Sequence, residues 1–334
     1  MTASEALAAA CESGISCLDE RDLLVVIAQS LSGGSTGSEL LSAACESKIS
    51  CLGNLDLLKV IAQSLGGGGN GGNCIIETNP AGLEGEIGFV TIDGGAPGVT
   101  ALTANYVHLI EQFTVSNAAD LVSISFPLLE DVSATGAGQI QNNPALDSIS
   151  FPFLTDFIGS LQIDGNAVLT SLSAPLLSQI GSLSVAGNSF SAFSIPSLTS
   201  SDFIAILGEP NLSSVSLPLL ATVPSISISS NPVLAGTLSL PSLVTVTTSF
   251  SASANALTAL SFPLWVPTNG CNIDFTSNAL NQASVDMVLA KCVANAGFVS
   301  GTVALDAGTN SAPSGAGAAN ALILTGRGVT VTTN

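Results

Sequence analysis

The chain has 334 residues, 46% of them hydrophobic and only 9% charged, and its 24 Asp and Glu against five Lys and Arg leave a formal net charge of −19. No basic residue occurs between Lys59 and Lys291. Such a surface repels phosphate backbones and anionic headgroups, which argues against nucleic acid as a partner. No apolar run reaches the ~18–20 residues of a transmembrane helix, so membrane insertion is not expected.

The chain opens on a duplication. Ser4–Leu31 and Ser38–Leu65 agree at 21 of 28 positions. Ala- and Leu-rich residues up to Cys11 favour a helix, Ser13-Gly-Ile-Ser breaks it, and Asp22 can cap a second run, with Asp56 in the same place in the second copy. Residues 1–65 are therefore expected to form two small helical hairpins that bury little by themselves and attach to other proteins or to further copies. Residues 66–74, Gly66-Gly-Gly-Gly-Asn-Gly-Gly-Asn-Cys74, have the composition of a flexible linker.

From residue 75 to 280 a short period governs the chain. Pro127, Pro152, Pro175, Pro196, Pro218, Pro241 and Pro263 are spaced by 25, 23, 21, 22, 23 and 22 residues. A period in this range marks a stack of units, none large enough to bury its own apolar face. Three columns counted from the prolines are apolar in every copy. They are Ile124 to Leu260 at three residues before, Phe126 to Phe262 at one before, and Leu129 to Trp265 at two after. Their alternation with small polar residues predicts inward-facing ladders on strands, with proline just past each strand where its missing N–H costs no ladder bond. A second strand is predicted in most units and ends in Asn166, Asn188, Asn231 or Asn278. Each asparagine is expected to satisfy turn backbone and to tolerate a left-handed conformation. The unit at Asp202–Asn211, with Gly208-Glu-Pro, departs from this pattern and reads as a local bulge or loop.

Residues 281–334 differ. Gln282–Ala296 has helical spacing; a strand at Gly301–Leu305, a helix at about 315–325 and a strand at Val329–Thr332 follow. This α/β unit is the cap that an open solenoid edge requires. The fold class is thus mainly β, a β-solenoid with N-terminal helical hairpins and a C-terminal α/β cap.

The repeat Leu169-Thr-Ser-Leu-Ser-Ala-Pro-Leu-Leu-Ser-Gln-Ile-Gly-Ser-Leu-Ser-Val-Ala-Gly-Asn188 resembles leucine-rich repeats, and more closely those of the receptor-L-domain type. The tail from Gly308 to Asn334 is similar to tails on repeat proteins encoded by bacteria and phages, and the duplication resembles attachment modules of phage structural proteins. The resemblance implies a recognition or structural surface without catalysis. Leucine stands two residues after the proline, where the commoner leucine-rich consensus has asparagine, which favours a flatter stack of sheets over a horseshoe.

Two columns hold the candidate binding face. Ser125, Ser150, Ser173, Ser194, Ser216, Ser239 and Ser261 stand two residues before each proline, and Ser123, Ser148, Ser171 and Ser214 four before. On a strand these alternate with the buried columns, so they form hydroxyl rows on one outward face. Such rows suit a host glycan or protein receptor, and equally they keep a sheet soluble and stackable.

No catalytic, cofactor or metal site is expected. His108 lacks a marked nucleophile beside it, and Glu84, Glu86, Glu130 and Asp131 need a cleft to act as paired carboxylates. Asp147, Asp156 and Asp164 show no calcium-loop spacing. Cys11/Cys17 and Cys45/Cys51 read as disulfides, with buried free thiols as the alternative, since four-thiolate zinc sites use shorter spacings. Cys271 and Cys292 are a third candidate pair, between the last repeat and the cap. The N-terminus lacks a basic, apolar secretory signal, so the expected setting is a virion, in an oligomeric assembly such as a tail fibre. The alternative is a bacterial surface or secreted adhesin.

Overall fold

A computed structural model describes residues 72–77, 90–93, 99–105, 108–109, 112–133 and 136–334. The expected helical hairpins and Cys11, Cys17, Cys45 and Cys51 lie outside the described residues, as do Glu84 and Glu86.

Each proline-marked coil begins with a short strand, three residues centred on a buried or half-buried apolar residue in five coils (123–125, 148–150, 171–173, 192–194 and 214–216) and longer in the last two, Ala235–Ser239 and Ala256–Ser261. The proline follows one residue later and occupies the second position of a tight turn. The carbonyl before it accepts from the amide two residues beyond it, as in Leu129 N to Phe126 O at 3.4 Å and Leu243 N to Leu240 O at 3.2 Å. Proline presets the backbone angle that this turn position needs. The turn then drops Leu129, Leu154, Leu177, Leu198, Leu220, Leu243 or Trp265 into the core, all at most 1% exposed.

The chain next runs along a second side and bends into a long strand: Asp156–Asp164, Gln179–Ala186, Ser200–Leu207 and Ser225–Ser229 in successive coils. These strands pair in parallel, Leu161 on Leu183 on Ile204 on Ile226, and Ile163 on Val185 on Ile206 on Ile228. They belong to the largest sheet, of thirteen strands among the described residues. The bend is made by glycines: a Cβ on Gly159 would lie 1.6 Å from the Gly136 carbonyl oxygen, and one on Gly181 2.1 Å from that of Ile158.

One core runs the length of the stack and joins neighbouring coils. Phe126 and Phe151 stack with ring centres 5.2 Å apart, and Phe250 meets Phe262, Trp265 and Phe275 within 5.3 Å. Burying each such side chain stabilises by about 1.5–3 kcal/mol before ordering entropy is subtracted.

Two expectations need correction. The left-handed residue is not the asparagine but its predecessor: Asn142, Gly165, Gly187, Gly208, Ser230, Ala254 and Ser277 all have positive φ. That kink turns the next side chain inward, so Asn143, Asn166, Asn188, Asn231 and Asn278 are at most 3% exposed. The unit at Asp202–Asn211 is no interruption either. Its strand Ser200–Leu207 is continuous, Gly208 supplies the kink, and Glu209 enters the core where other coils place asparagine.

The stack ends on helix α1 (Gln282–Ala294), the strand Thr302–Ala304, helix α2 (Gly315–Gly326) and the strand Thr330–Thr332. Asn281 caps α1 by accepting from the Ser284 amide, and Ser314 caps α2 by accepting from that of Gly317. Lys291 Nζ donates to the Pro263 and Trp265 carbonyls at 3.1 and 3.0 Å, tying α1 to the last proline-marked coil. Arg327 donates to the Val293 and Asn295 carbonyls at the end of α1. Among the described residues both cations are therefore spent on main-chain oxygens that close the stack.

Candidate functional site

The serine columns lie on the outer flank of the short strands. Their register is direct: Ser123 on Ser148 on Ser171, Ser125 on Ser150 on Ser173, Ser194 on Ser216, and Ser239 on Ser261. Paired neighbours within a column are thus about 4.7–4.9 Å apart along the stack, and the two columns about 6.6–6.8 Å apart across it, while the strand pairing lapses between Ser173 and Ser194 and between Ser216 and Ser239. Ser171, Ser173, Ser194, Ser214, Ser216 and Ser239 are exposed; Ser123, Ser125, Ser148, Ser150 and Ser261 are half-buried.

The flank hydroxyls are unused, while several hydroxyls elsewhere on the coils staple one coil to the next. At the proline corner Ser197 Oγ donates to the Pro175 carbonyl at 2.6 Å and Ser242 Oγ to that of Pro218 at 2.7 Å. Along the second side Thr155 donates to Glu130 and Thr199 to Ser178. On the long sheet Ser227, Ser229, Ser251 and Ser253 bond to one another at 3.0–3.4 Å. The hydroxyls of the flank columns make no such bond within the described residues and keep donors and acceptors for solvent or a ligand.

Beside the flank runs a row that the sequence reading missed. The residue after each proline points outward, and in five coils it is large and apolar: Leu128, Phe153, Leu176, Leu219 and Leu264, 47–56% exposed. Ser197 and Ser242 take this place in the other two coils. The signal was legible, since these residues adjoin a buried leucine in the same turn, but apolar character alone reads as core. The combined face offers hydroxyls in rows and an apolar ridge at its edge. That chemistry suits a neutral ligand with polar groups and apolar faces, sugars among them.

The remaining candidates are dispersed. Glu130 is exposed and Asp131 half-buried. His108 lies on the short strand His108–Leu109, whose partner is Asp131–Val132. Asp147 accepts from Thr170, Asp156 from Thr155 and Ser178, and Asp164 from Gln162, each in its own coil contacts. Among the described residues no three His, Cys, Asp or Glu side chains converge as a metal site would need. Cys271 and Cys292 are neighbours in the core and stand as free thiols. Burial pushes the Cys271 thiol up to about 11, and burial with the adjacent Cys271 pushes Cys292 up to about 12. An open groove of about 340 Å³ follows the bend past Ile158, Gly181, Ser201 and Thr222, and no expected site residue lines it.

Compared with known proteins, the chain matches no family model, no curated protein and no solved structure. The functional reading therefore rests on the flank itself.

Proposed function

We propose that the protein is a non-enzymatic structural or receptor-binding component of a virion, carried on a tail fibre or similar surface appendage, with the serine flank as its recognition face. Residues 1–65 attach it to other proteins of the assembly, and the solenoid faces host or solvent. The observation that carries the reading is the row of free flank hydroxyls, beside corner hydroxyls at Ser197 and Ser242 and the long-sheet pair Ser229 and Ser251 that are taken up by coil-to-coil bonds. A periodic, rigid array of free hydroxyls next to an apolar ridge is suited to a repetitive neutral ligand such as a surface glycan.

Screening on a glycan array tests this, using the full chain beside Ser173→Arg and Ser216→Arg. Loss of binding in the variants supports the flank as the site, and unchanged binding dismisses it. Purified particles whose proteome lacks the chain defeat the virion assignment. Flank-dependent binding without particle association would move the protein to the surface-adhesin class.

A further inference from the structure

Inside the stack the asparagines form a ladder. Asn166 Oδ1 accepts from the Asn143 amide and from Asn143 Nδ2, both at 3.0 Å. Asn166 Nδ2 in turn donates to the Ile140 carbonyl at 2.9 Å and to Asn188 Oδ1 at 3.1 Å. Asn188 Nδ2 repeats this with the Ile163 carbonyl, Asn231 Nδ2 with Ile206 and Asn255 Nδ2 with Ile228.

Glu209 occupies one rung of this ladder. Its Oε1 accepts from the Asn188 amide at 3.0 Å and from Asn188 Nδ2 at 2.9 Å, as an asparagine oxygen would, and its own amide donates to Asn231 Oδ1. It stands 21 residues after Asn188, where the neighbouring rungs are 22 to 24 apart, and its longer side chain suits the shorter coil. The other carboxyl oxygen, Oε2, shares its carbon with Oε1, as the NH2 group shares its carbon with Oδ1 in asparagine. It is buried without a partner, and the residue is 0% exposed. The carbonyls that receive the NH2 groups belong to Ile140, Ile163, Ile206 and Ile228, and the one between them in register is Val185.

We propose that Glu209 is a neutral carboxylic acid in the folded protein, its Oε2–H donating to the Val185 carbonyl in place of an asparagine amide, so that the ladder is complete at acid pH and broken when Glu209 ionises. An ionised carboxylate would put acceptor against acceptor in a dry slot with no cation to offset it. The described cations, Lys291 and Arg327, are in the cap and bonded to main-chain carbonyls of the last proline-marked coil and of the cap. The groups packed on Glu209 from the coils before and after are the uncharged Asn188 and Asn231. The titratable neighbour whose charge bears on it is Asp164, with one carboxylate oxygen also buried and unpaired. Burial foremost, and the negative Asp164 beside it, raise the Glu209 carboxyl above its ordinary value, against the lowering effect of the Asn188 and Phe190 bonds.

The sign follows from linkage. The folded state binds the proton more tightly than the unfolded chain, so this stabilisation is full below the ordinary glutamate value. It is lost as pH rises through the folded value.

The test is urea unfolding of the wild-type protein and Glu209→Gln from about pH 4 to about pH 8, taking the difference between them so that the other carboxylates cancel. Glutamine keeps the acceptor and supplies the missing N–H. The expected result is near-equal stability at the acid end and a widening advantage for the glutamine variant, its unfolding constant falling relative to wild type by up to about tenfold per pH unit within the window. A difference independent of pH, or one that grows toward acid, overturns the proposal. Should the variant fail to fold, carboxyl-13C labelling of glutamate in the wild-type chain decides by NMR. One resonance that stays at the protonated position while the rest ionise supports the proposal; joint ionisation of all of them overturns it.

Discussion

Asn188 Oδ1 receives two hydrogen bonds from one residue, Asn166, through its amide and its side-chain Nδ2, both at 3.1 Å. The same double contact joins Asn143 to Asn166 and Asn188 to Glu209, and single amide bonds continue it to Asn231 and Asn255, between coils that otherwise meet through strand pairing and apolar packing. It makes the ladder a second, polar spine beside the phenylalanine and leucine core. A buried amide loses nothing on folding when all its groups are bonded, and it fixes register more tightly than leucine over leucine.

Asn166→Ala should therefore destabilise strongly. It leaves the Asn143 amide unpaired in the core and removes the side-chain bond to the Ile140 carbonyl, and an orphaned buried group costs about 1–3 kcal/mol. We expect a loss of about 2–5 kcal/mol in urea unfolding, with partial rescue by Asn166→Gln absent because the longer chain overfills the slot. A loss below about 1 kcal/mol would show that the ladder is dispensable.

The bend glycines predict a steric failure. Alanine at Gly159 places a carbon 1.6 Å from a backbone oxygen, which no rotamer change relieves. Gly159→Ala should unfold or shift the local register, with a cost of several kcal/mol, whereas Gly208→Ala, with open space around its Cβ, should cost about 1 kcal/mol for its positive φ alone. Thermal melts of the two variants separate the effects.

The period, the three apolar columns and the outward serines were readable because strand alternation and a fixed repeat each leave a direct imprint on sequence. The ladder was only half readable. Asn166 and Asn188 signalled a turn, but the kink belongs to Gly165 and Gly187, and that one-residue offset decides whether asparagine faces water or core. Glu209 looked like an interruption because a charged residue type in an apolar setting reads as surface. Its role emerges only from the three-dimensional equivalence of Glu209 with Asn188 and Asn231. The apolar row at Leu128 and Phe153 was hidden for the opposite reason, since apolar residues beside a core leucine read as core.

The hydroxyls themselves yield a contrast in stability. Ser173→Ala removes a hydroxyl with no protein partner and should change stability by less than about 0.5 kcal/mol. Ser197→Ala, which deletes the bond to the Pro175 carbonyl, should cost about 1 kcal/mol. Equal effects on the urea midpoint would remove the distinction between binding and stapling hydroxyls.

The two core thiols should be inert in the native state. With values near 11 and 12 they remain protonated at neutral pH, and burial blocks access, so Cys271 and Cys292 should react with a disulfide reagent only after unfolding. Because both folded values are raised above the ordinary 9.0, the neutral thiols contribute stability that is complete below that value. It fades as pH rises toward 11 and 12, and replacing both by alanine should flatten this alkaline loss. Rapid native-state labelling at neutral pH would contradict the burial of the pair.

The most direct measurement is a set of electron–electron distances between spin labels placed on the serine flank, in a chain whose native cysteines have been replaced. Labels at Ser125 and Ser216 are four coils apart and should lie about 19 Å from each other, and labels at Ser125 and Ser261, six coils apart, about 29 Å, growing in equal steps with coil number. Distances that do not scale with the number of intervening coils would contradict a single flank of stacked hydroxyls, and with it the recognition surface proposed for this protein.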